Sequence, residues 1–194
     1  MFVLTVDQQG SRRGSDRVPS ALGLLADVEV LLPFERTVGD ELQGVPASAE
    51  AAVDAVLRLV RAGGWSIGLG VGPGRLAQSA SASDGEAFVR AREAVERAKG
   101  RTVPVALALA AGEATPDAEP FLHLLAAAVE ERTDATWRVL DLLAAGRSGV
   151  EIAEELGMTP QNVSHHRRRA LWDTEVAARR ALARLLTRID AAGA

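Results

Sequence analysis

The sequence contains no cysteine and no tyrosine, and aromatic residues make up only 4% of its 194 residues. Without cysteine, a disulfide framework, a thiolate zinc site and a cysteine nucleophile are all excluded. Two of the three histidines, His165 and His166, are adjacent in one helical segment, which leaves too few for a histidine metal site. With so few aromatic side chains, the hydrophobic core is expected to consist of Leu, Val and Ala.

Long hydrophobic runs are also missing, so no segment has the length of a membrane span. The first residues, Met-Phe-Val-Leu-Thr-Val-Asp, lack the basic region of a signal peptide. Hydrophobic residues make up 47% of the chain and charged residues 25%, which is typical of a folded soluble protein. We therefore expect a cytoplasmic protein with no membrane partner.

The first 111 residues predict strands and helices in the order β-α-β-β-α-β-α-β. Strands are expected at 2–6, 29–36, 42–45, 65–72 and 103–109, and helices at 16–26, 48–62 and 84–99. This order indicates an α+β fold with a ferredoxin-like antiparallel sheet and its helices on one face. In the strand at 65–72, Ile67 and Leu69 alternate with Gly68 and Gly70, so one face is bare backbone that a helix or ligand can approach.

The remaining residues predict a separate all-α unit. Gly112, Pro116 and Pro120 indicate a linker at 112–120, which divides the chain into a domain at 1–111 and a helical domain at 121–194. A long helix is expected at about 173–189, with an apolar stripe of Leu182, Leu185, Leu186 and Ile189. This stripe either packs within its own domain or forms the two-helix seam of a homodimer.

Residues 149–171 predict two short helices joined by a tight turn. An apolar stripe of Ile152, Ala153 and Leu156 ends at Gly157, which permits a left-handed backbone. Thr159 then stands at an N-cap, Pro160 at the first helical position, and Val163 and Ala170 face inward. The segment resembles the helix-turn-helix of bacterial transcription regulators, whose second helix reads the major groove of double-stranded DNA.

That resemblance implies a set of DNA-binding residues on the second helix. Amides suit adenine, and arginines suit phosphates or guanine. His166 stands where such motifs usually bury an aliphatic side chain, and we expect it to be partly buried. The candidate DNA contacts are Thr159, Gln161, Asn162, Ser164, His165, Arg167, Arg168 and Arg169.

Overall charge gives this interpretation little support, because the net charge is −4 and residues 120–194 hold ten basic and ten acidic residues. DNA affinity would depend on the local run of three arginines, doubled in a homodimer. The plainer alternative is a helical hairpin whose arginines form a solvated face.

Two carboxylates in the N-terminal domain suggest a second chemistry. Asp7 ends the first strand and Asp40 lies at the tip of the hairpin, so the two could converge on magnesium with a bound triphosphate. The glycine-rich loop after the first strand offers backbone N–H groups and guanidiniums to phosphate. Its candidate residues are Gly10, Ser11, Arg12 and Arg13. In the alternative interpretation, both aspartates merely cap loops.

These motifs also resemble those of known cyclases. The run Asp7-Gln-Gln-Gly10 is similar to the D-x-x-G of class III nucleotidyl cyclases, and Arg36-Thr-Val-Gly-Asp40 to their K-T-x-G-D hairpin. Val38-Gly-Asp-Glu-Leu42 is close to the GGDEF of diguanylate cyclases. In combination, residues 1–110 most resemble the SatD-like family of small bacterial proteins. The resemblance implies a nucleotide ligand, with Asp7 and Asp40 as metal ligands and Arg36 near the nucleotide.

Several residues of this sequence differ from the cyclase pattern, and these differences argue against cyclase activity. Val38 replaces the first glycine of GGDEF, and Arg36 replaces the lysine with which cyclases read the base. The phosphate-stabilising asparagine and arginine have no match near residues 89–93, and each such loss typically costs about a hundred- to a thousandfold in rate. We therefore assign no catalytic residue. Taken together, the sequence predicts a transcription regulator with an inactive cyclase-like domain that serves as a sensor or in dimerisation. One alternative is a magnesium-dependent nucleotidyl cyclase or nucleotide-binding enzyme. The other is a protein-interaction module.

Overall fold

The computed structural model describes residues 1–11, 14–100 and 105–193. The strands in this part of the chain are β1 (Phe2–Gln8), β2 (Val30–Arg36), β3 (Glu41–Pro46), β4 (Trp65–Val71) and β5 (Leu107–Ala110). The helices are α1 (Val18–Leu24), α2 (Ala49–Ala62), α3 (Glu86–Lys99), α4 (Thr115–Glu130), α5 (Asp134–Ala144), α6 (Gly149–Leu156), α7 (Pro160–Arg169) and α8 (Trp172–Ala192). The fold is α+β: a five-stranded sheet followed by a helical region.

The sheet has the strand order β2-β3-β1-β4-β5 and is mixed. Strand β1 lies at its centre, antiparallel to both β3 and β4, with Leu4 opposite Gly44 and Leu69. Strand β5 runs parallel to β4, with Ile67 opposite Leu107. The prediction of an antiparallel sheet is therefore wrong at this edge. Helix α3 returns the chain to the starting end of β4 before β5 begins, and such a crossover makes the two strands parallel.

Helices cover both faces of the sheet, so the prediction that they lie on one face is also wrong. Within the described residues, α3 is the one helix on its face of the sheet, where it packs against Val3 and Ala108 among others. The glycines of β4 explain how closely it packs: a Cβ atom at Gly70 would lie 2.1 Å from the carbonyl oxygen of Ala87, and one at Gly68 2.4 Å from that of Ala91. The bare backbone of β4 thus accommodates a helix.

The opposite face carries the main hydrophobic core. Alternate residues of β1 and β4, such as Leu4 and Ile67, point to this face and pack against α2. Helix α2 begins where the Ser48 hydroxyl accepts a hydrogen bond from the Ala51 N–H, and it ends at Gly63 with φ 62°. Its inward residues share a period near 3.6, which buries a continuous stripe. They include Val53, Val56, Leu57 and Val60.

Helices α4 and α8 join this same core. Helix α4 begins at Thr115, within the predicted linker, and buries Leu122 against the core. Leu182 and Leu186 of the predicted stripe on α8 are buried in it as well. These two residues therefore pack inside the chain, in a core shared with the sheet, and not only within the predicted helical domain. The three-part division at residues 111 and 120 stays a prediction.

Candidate DNA-binding interface

The bend between α6 and α7 is built from local hydrogen bonds. Ser148 and Glu151 form a capping box at the start of α6: the Ser148 hydroxyl accepts from the Glu151 N–H at 3.3 Å, and the Glu151 carboxylate accepts from the Ser148 N–H at 2.7 Å. Gly157 ends α6 in the left-handed region, with φ 63° and ψ 37°. Met158 then donates its N–H to the Ala153 carbonyl at 2.9 Å, which closes the helix end.

Helix α7 starts as its sequence predicts. The Thr159 hydroxyl accepts a hydrogen bond from the Asn162 N–H at 3.2 Å, and Pro160 occupies the first helical position. Val163 is 2% exposed and packs on Ile152 and Val139, which joins α5, α6 and α7 in one small core. This core fixes which face of α7 is turned outward.

The outward face of α7 carries the predicted DNA contacts. All eight predicted contacts are exposed to solvent, whereas Val163 and Ala170 are buried. His166 is half-buried, and its Nδ1 lies 3.0 Å from the Thr136 hydroxyl of α5, so the expectation of partial burial is confirmed. The helix therefore presents hydroxyl, amide and guanidinium groups over most of its free surface.

The three arginines of α7 differ in their surroundings. Arg167 makes a bidentate ion pair with Asp173, at 2.6 and 2.9 Å, and hydrogen bonds from Arg167 lower the pKa of Asp173 below its usual range. Arg168 and Arg169 have no ion pair with any residue of the described ranges. The uncompensated positive charge of α7 is thus concentrated on its last turn.

A helix-turn-helix of this geometry has a counterpart among known families. Residues 133–186, from the cap of α5 into α8, match the family model of bacterial regulatory proteins of the luxR family. Residues 133–186 are a luxR-type helix-turn-helix domain. No curated protein and no solved structure shows significant similarity to the chain. A DNA-binding transcriptional regulator is the function that the family match supports.

The luxR-type domain is held to the sheet by a cluster around Trp137 of α5. The Arg61 guanidinium of α2 lies 4.0 Å from the centroid of the Trp137 ring and pairs with Asp141 through two hydrogen bonds of 2.6 and 2.7 Å. Arg132 lies over the same ring at 4.9 Å. Sequence reasoning missed this cluster, because Arg61 and Asp141 are 80 positions apart and no local pattern joins them.

A buried ion pair fixes the end of α7 relative to α8. The side chains of Arg132 and Glu175 are 3% and 2% exposed and bond to each other. Arg132 Nη2 also donates to the Ala170 carbonyl at 2.9 Å, and Arg179 bonds to the other carboxylate oxygen. Since a buried charge without its partner costs roughly 3–5 kcal/mol, both partners are structurally required. Glu175 could have been noticed as a charged residue on the inward face of its helix.

The predicted nucleotide site is only partly assembled. Gly39, Asp40 and Arg36 line a cavity of about 230 Å³ together with Ser11. Asp7 lies outside it, half-buried and 3.0 Å from Lys99 Nζ; burial raises its pKa, although Lys99 acts in the opposite direction. Gly10 turns the chain with φ 69°, while the predicted phosphate ligands Arg12 and Arg13 lie outside the described residues.

Neither a metal cluster nor a membrane helix is found in the described part of the chain. No group of three or more His, Cys, Asp or Glu side chains there is arranged to hold a metal ion. No helix among the described residues is both long enough and apolar enough to cross a membrane.

An apolar groove runs along the outer side of α4 and α8. Its volume is about 570 Å³, and Leu182 and Leu185 contribute to its floor. Phe121, Leu124 and Leu171 line it and are 56%, 69% and 57% exposed. Three large exposed apolar side chains along one groove form a continuous apolar surface, which we call the α4–α8 groove.

Proposed function

We propose that the chain is a transcriptional regulator that inserts α7 into the major groove of DNA. The observation that carries this proposal is the polar, cationic outward face of α7 within a region that matches the luxR family. Gln161 and Asn162, near the start of α7, have the amide geometry that suits adenine. Arg167, Arg168 and Arg169 are the contacts to phosphate or guanine. The remaining polar contacts are Thr159, Ser164 and His165.

The experiment compares matched arginine variants on a duplex selected from random sequence. Replacing a phosphate-contacting arginine removes about one released counterion, so Arg168→Ala should lower affinity and reduce the slope of log K against log salt by about one. Arg75→Ala, which removes an exposed charge in the loop after β4, should leave that slope unchanged. Equal affinity of Arg168→Ala and the parent at several salt concentrations would contradict the assignment of α7.

For residues 1–111 we propose a catalytically inactive, cyclase-like sensory or dimerisation module. The ferredoxin-like interpretation is supported by the order β2-β3-β1-β4 and by the packing of α1 and α2 on the same core. Inactivity is supported by Val38 in place of glycine and by the ion pair that occupies Asp7. Ligand control of DNA binding requires a ligand that prefers one arrangement of the module over another.

A second candidate function is magnesium-dependent nucleotide binding or turnover. Its support is the cavity in which the tip of the β2–β3 hairpin meets the end of β1, with Arg36, Ser11 and Asp40 at its wall. A triphosphate brings most of the oxygen ligands that magnesium needs. Asp40 lines this cavity, and Asp7 would have to leave its ion pair with Lys99 to add a second carboxylate. Equilibrium binding and product formation with ATP or GTP, in Mg²⁺ or Mn²⁺, test this function. Absence of both at high protein concentration would remove it.

We further propose that the active species is a homodimer formed through the α4–α8 groove. Its support is the exposed apolar surface of Phe121, Leu124 and Leu171 beside the luxR-type domain. Sedimentation should show Leu124→Glu as a monomer at concentrations where the parent is a dimer. Val89→Glu, which changes an equally apolar exposed position on α3, is the control and should remain a dimer. Monomeric parent protein would contradict this assembly, and a protein partner on this groove would favour the interaction-module alternative.

A further inference from the structure

Three arginines form a stripe along the outward face of α8. Arg180, Arg184 and Arg188 are spaced by four residues, so they follow one another along one side of the helix over about 12 Å of its length. All three residues are exposed, and the opposite side of the helix buries Leu182 and Leu186 in the core. We call these three residues the α8 arginine stripe.

The stripe differs from most arginines of the chain because it has no counter-charge. Every described arginine up to Arg132 forms an ion pair or donates to a backbone carbonyl. The arginines that have neither contact among the described residues all come after it. They are Arg138, Arg168, Arg169, Arg180, Arg184 and Arg188. Although the whole chain has a net charge of −4, its unbalanced positive charge is thus collected on α5, α7 and α8.

The surroundings of the stripe leave its guanidinium groups accessible and repelling one another. Like charges four residues apart on a helix destabilise it, and an anion lying along the stripe would remove this repulsion. The other exposed residues of this face, from position 177 onward, are alanine and threonine, which do not cover the arginines. Glu50 shares a cavity with Arg180, but the two form no ion pair. The same is true of Glu113 and Arg188.

The stripe begins beside the DNA-reading helix. Asp173, which pairs with Arg167 of α7, is seven residues before Arg180, and two helical turns bring these two residues of α8 to the same face. The side of α7 that carries Arg167 therefore meets the stripe face of α8 where α8 starts. A polyanion bound to α7 on that side can continue along the stripe.

We propose that the α8 arginine stripe binds the phosphate backbone of DNA that flanks the bases read by α7. The proposal rests on the proposed DNA-binding function of α7. Its length of about 12 Å corresponds to about three nucleotide steps of one strand. Arginine contacts to phosphates position a protein without reading sequence, so the stripe would raise affinity for any duplex that is long enough to reach it.

The experiment uses the full chain and two forms of the selected duplex. One form has long flanking arms, and the other is trimmed to the bases that selection fixes. Arg180 and Arg184 are replaced together by alanine, whereas Arg188 is left in place because it also lines the α4–α8 groove. On the long duplex, the double variant should reduce the slope of log K against log salt by about two, since two phosphate contacts are lost. On the trimmed duplex the slope should equal that of the parent.

The matched control removes the same number of positive charges elsewhere. Arg75→Ala combined with Arg92→Ala changes two exposed arginines, one in the loop after β4 and one on α3. This control should leave the slope unchanged on both duplexes. An equal decrease for the control and the stripe variant would overturn the proposal, because it indicates general charge attraction rather than contact with the stripe.

Three other outcomes separate the stripe from the remaining explanations. Equal slopes for the parent and the stripe variant on the long duplex overturn the proposal. If sedimentation then shows altered self-association, the stripe belongs to a protein contact instead. Arg168→Ala tests α7 separately: a decrease for the stripe variant but none for Arg168→Ala supports the stripe and contradicts the assignment of α7, whereas the reverse pattern overturns the stripe alone. A parent protein that binds neither duplex overturns both proposals.

Discussion

Replacing Gly70 with alanine should destabilise the protein strongly, because the backbone of α3 occupies the space that a side chain would need. A Cβ atom at Gly70 would lie 2.1 Å from the Ala87 carbonyl oxygen and 2.4 Å from the Ala91 nitrogen. Both are backbone atoms, so no change of side-chain rotamer can relieve the overlap. Helix α3 would have to move outward by about 1 Å, which also loosens its contacts with Val3 and Ala108.

The expected cost is about 3 kcal/mol, the upper part of the usual range for overpacking. In a chain of this size, that cost lowers the melting temperature by roughly 6–12 °C. The matched control is Gly23→Ala in α1, where nothing lies within 4 Å of the added atom and alanine should be neutral or stabilising by up to about 1 kcal/mol. Urea denaturation of both variants measures the difference. A Gly70→Ala protein within about 0.5 kcal/mol of the parent would refute the reasoning.

Three further expectations follow from the contacts described above. A double-mutant cycle on Arg61→Ala and Asp141→Ala should give a coupling free energy of about 0.5–1 kcal/mol in denaturation experiments, because the pair is half-exposed; additive effects would contradict a direct interaction. Asp173→Asn should increase duplex affinity at low salt, since it releases Arg167 from its ion pair and removes a negative charge beside α7; unchanged affinity would place this pair away from DNA. Burial raises the pKa of Asp7 above 3.8, so its contribution to stability is present below that pH and is lost as pH rises through the folded-state pKa. The stability of Asp7→Asn relative to the parent should therefore increase with pH across this range, and a pH-independent difference would exclude Asp7 as the titrating group.

The helix-turn-helix could be predicted from sequence because the signals that build it are local. Thr159 and Pro160 start α7, and Gly157 ends α6, through hydrogen bonds that span only a few residues. The capping box of Ser148 and Glu151 is an equally local signal for the start of α6. Which side chains of α7 face outward then follows from helical periodicity alone.

Features that depend on distant contacts were not predictable in the same way. The glycines of β4 indicated that something approaches one face, yet they could not say that α3 does so and covers the face opposite α2. Pro116 and Gly112 suggested a linker, but proline fits the first turn of a helix, and α4 begins at Thr115. The contact of Arg61 with Trp137 joins two helices far apart in the chain, which periodicity does not report.

Helix α8 gives the sheet a mechanical connection to the DNA-reading surface. It is unbroken for 21 residues, about 31 Å, with Glu175 fixed beneath the end of α7 and Leu186 fixed in the core of the sheet. A continuous helix of that length transmits a tilt at one end to its other end. Glu175 and Leu186 are about 17 Å apart along the helix, so a tilt of about 5° at the sheet would displace Glu175, and the end of α7 above it, by about 1.4 Å. Small rearrangements around the sheet would thus be transmitted to the position of α7.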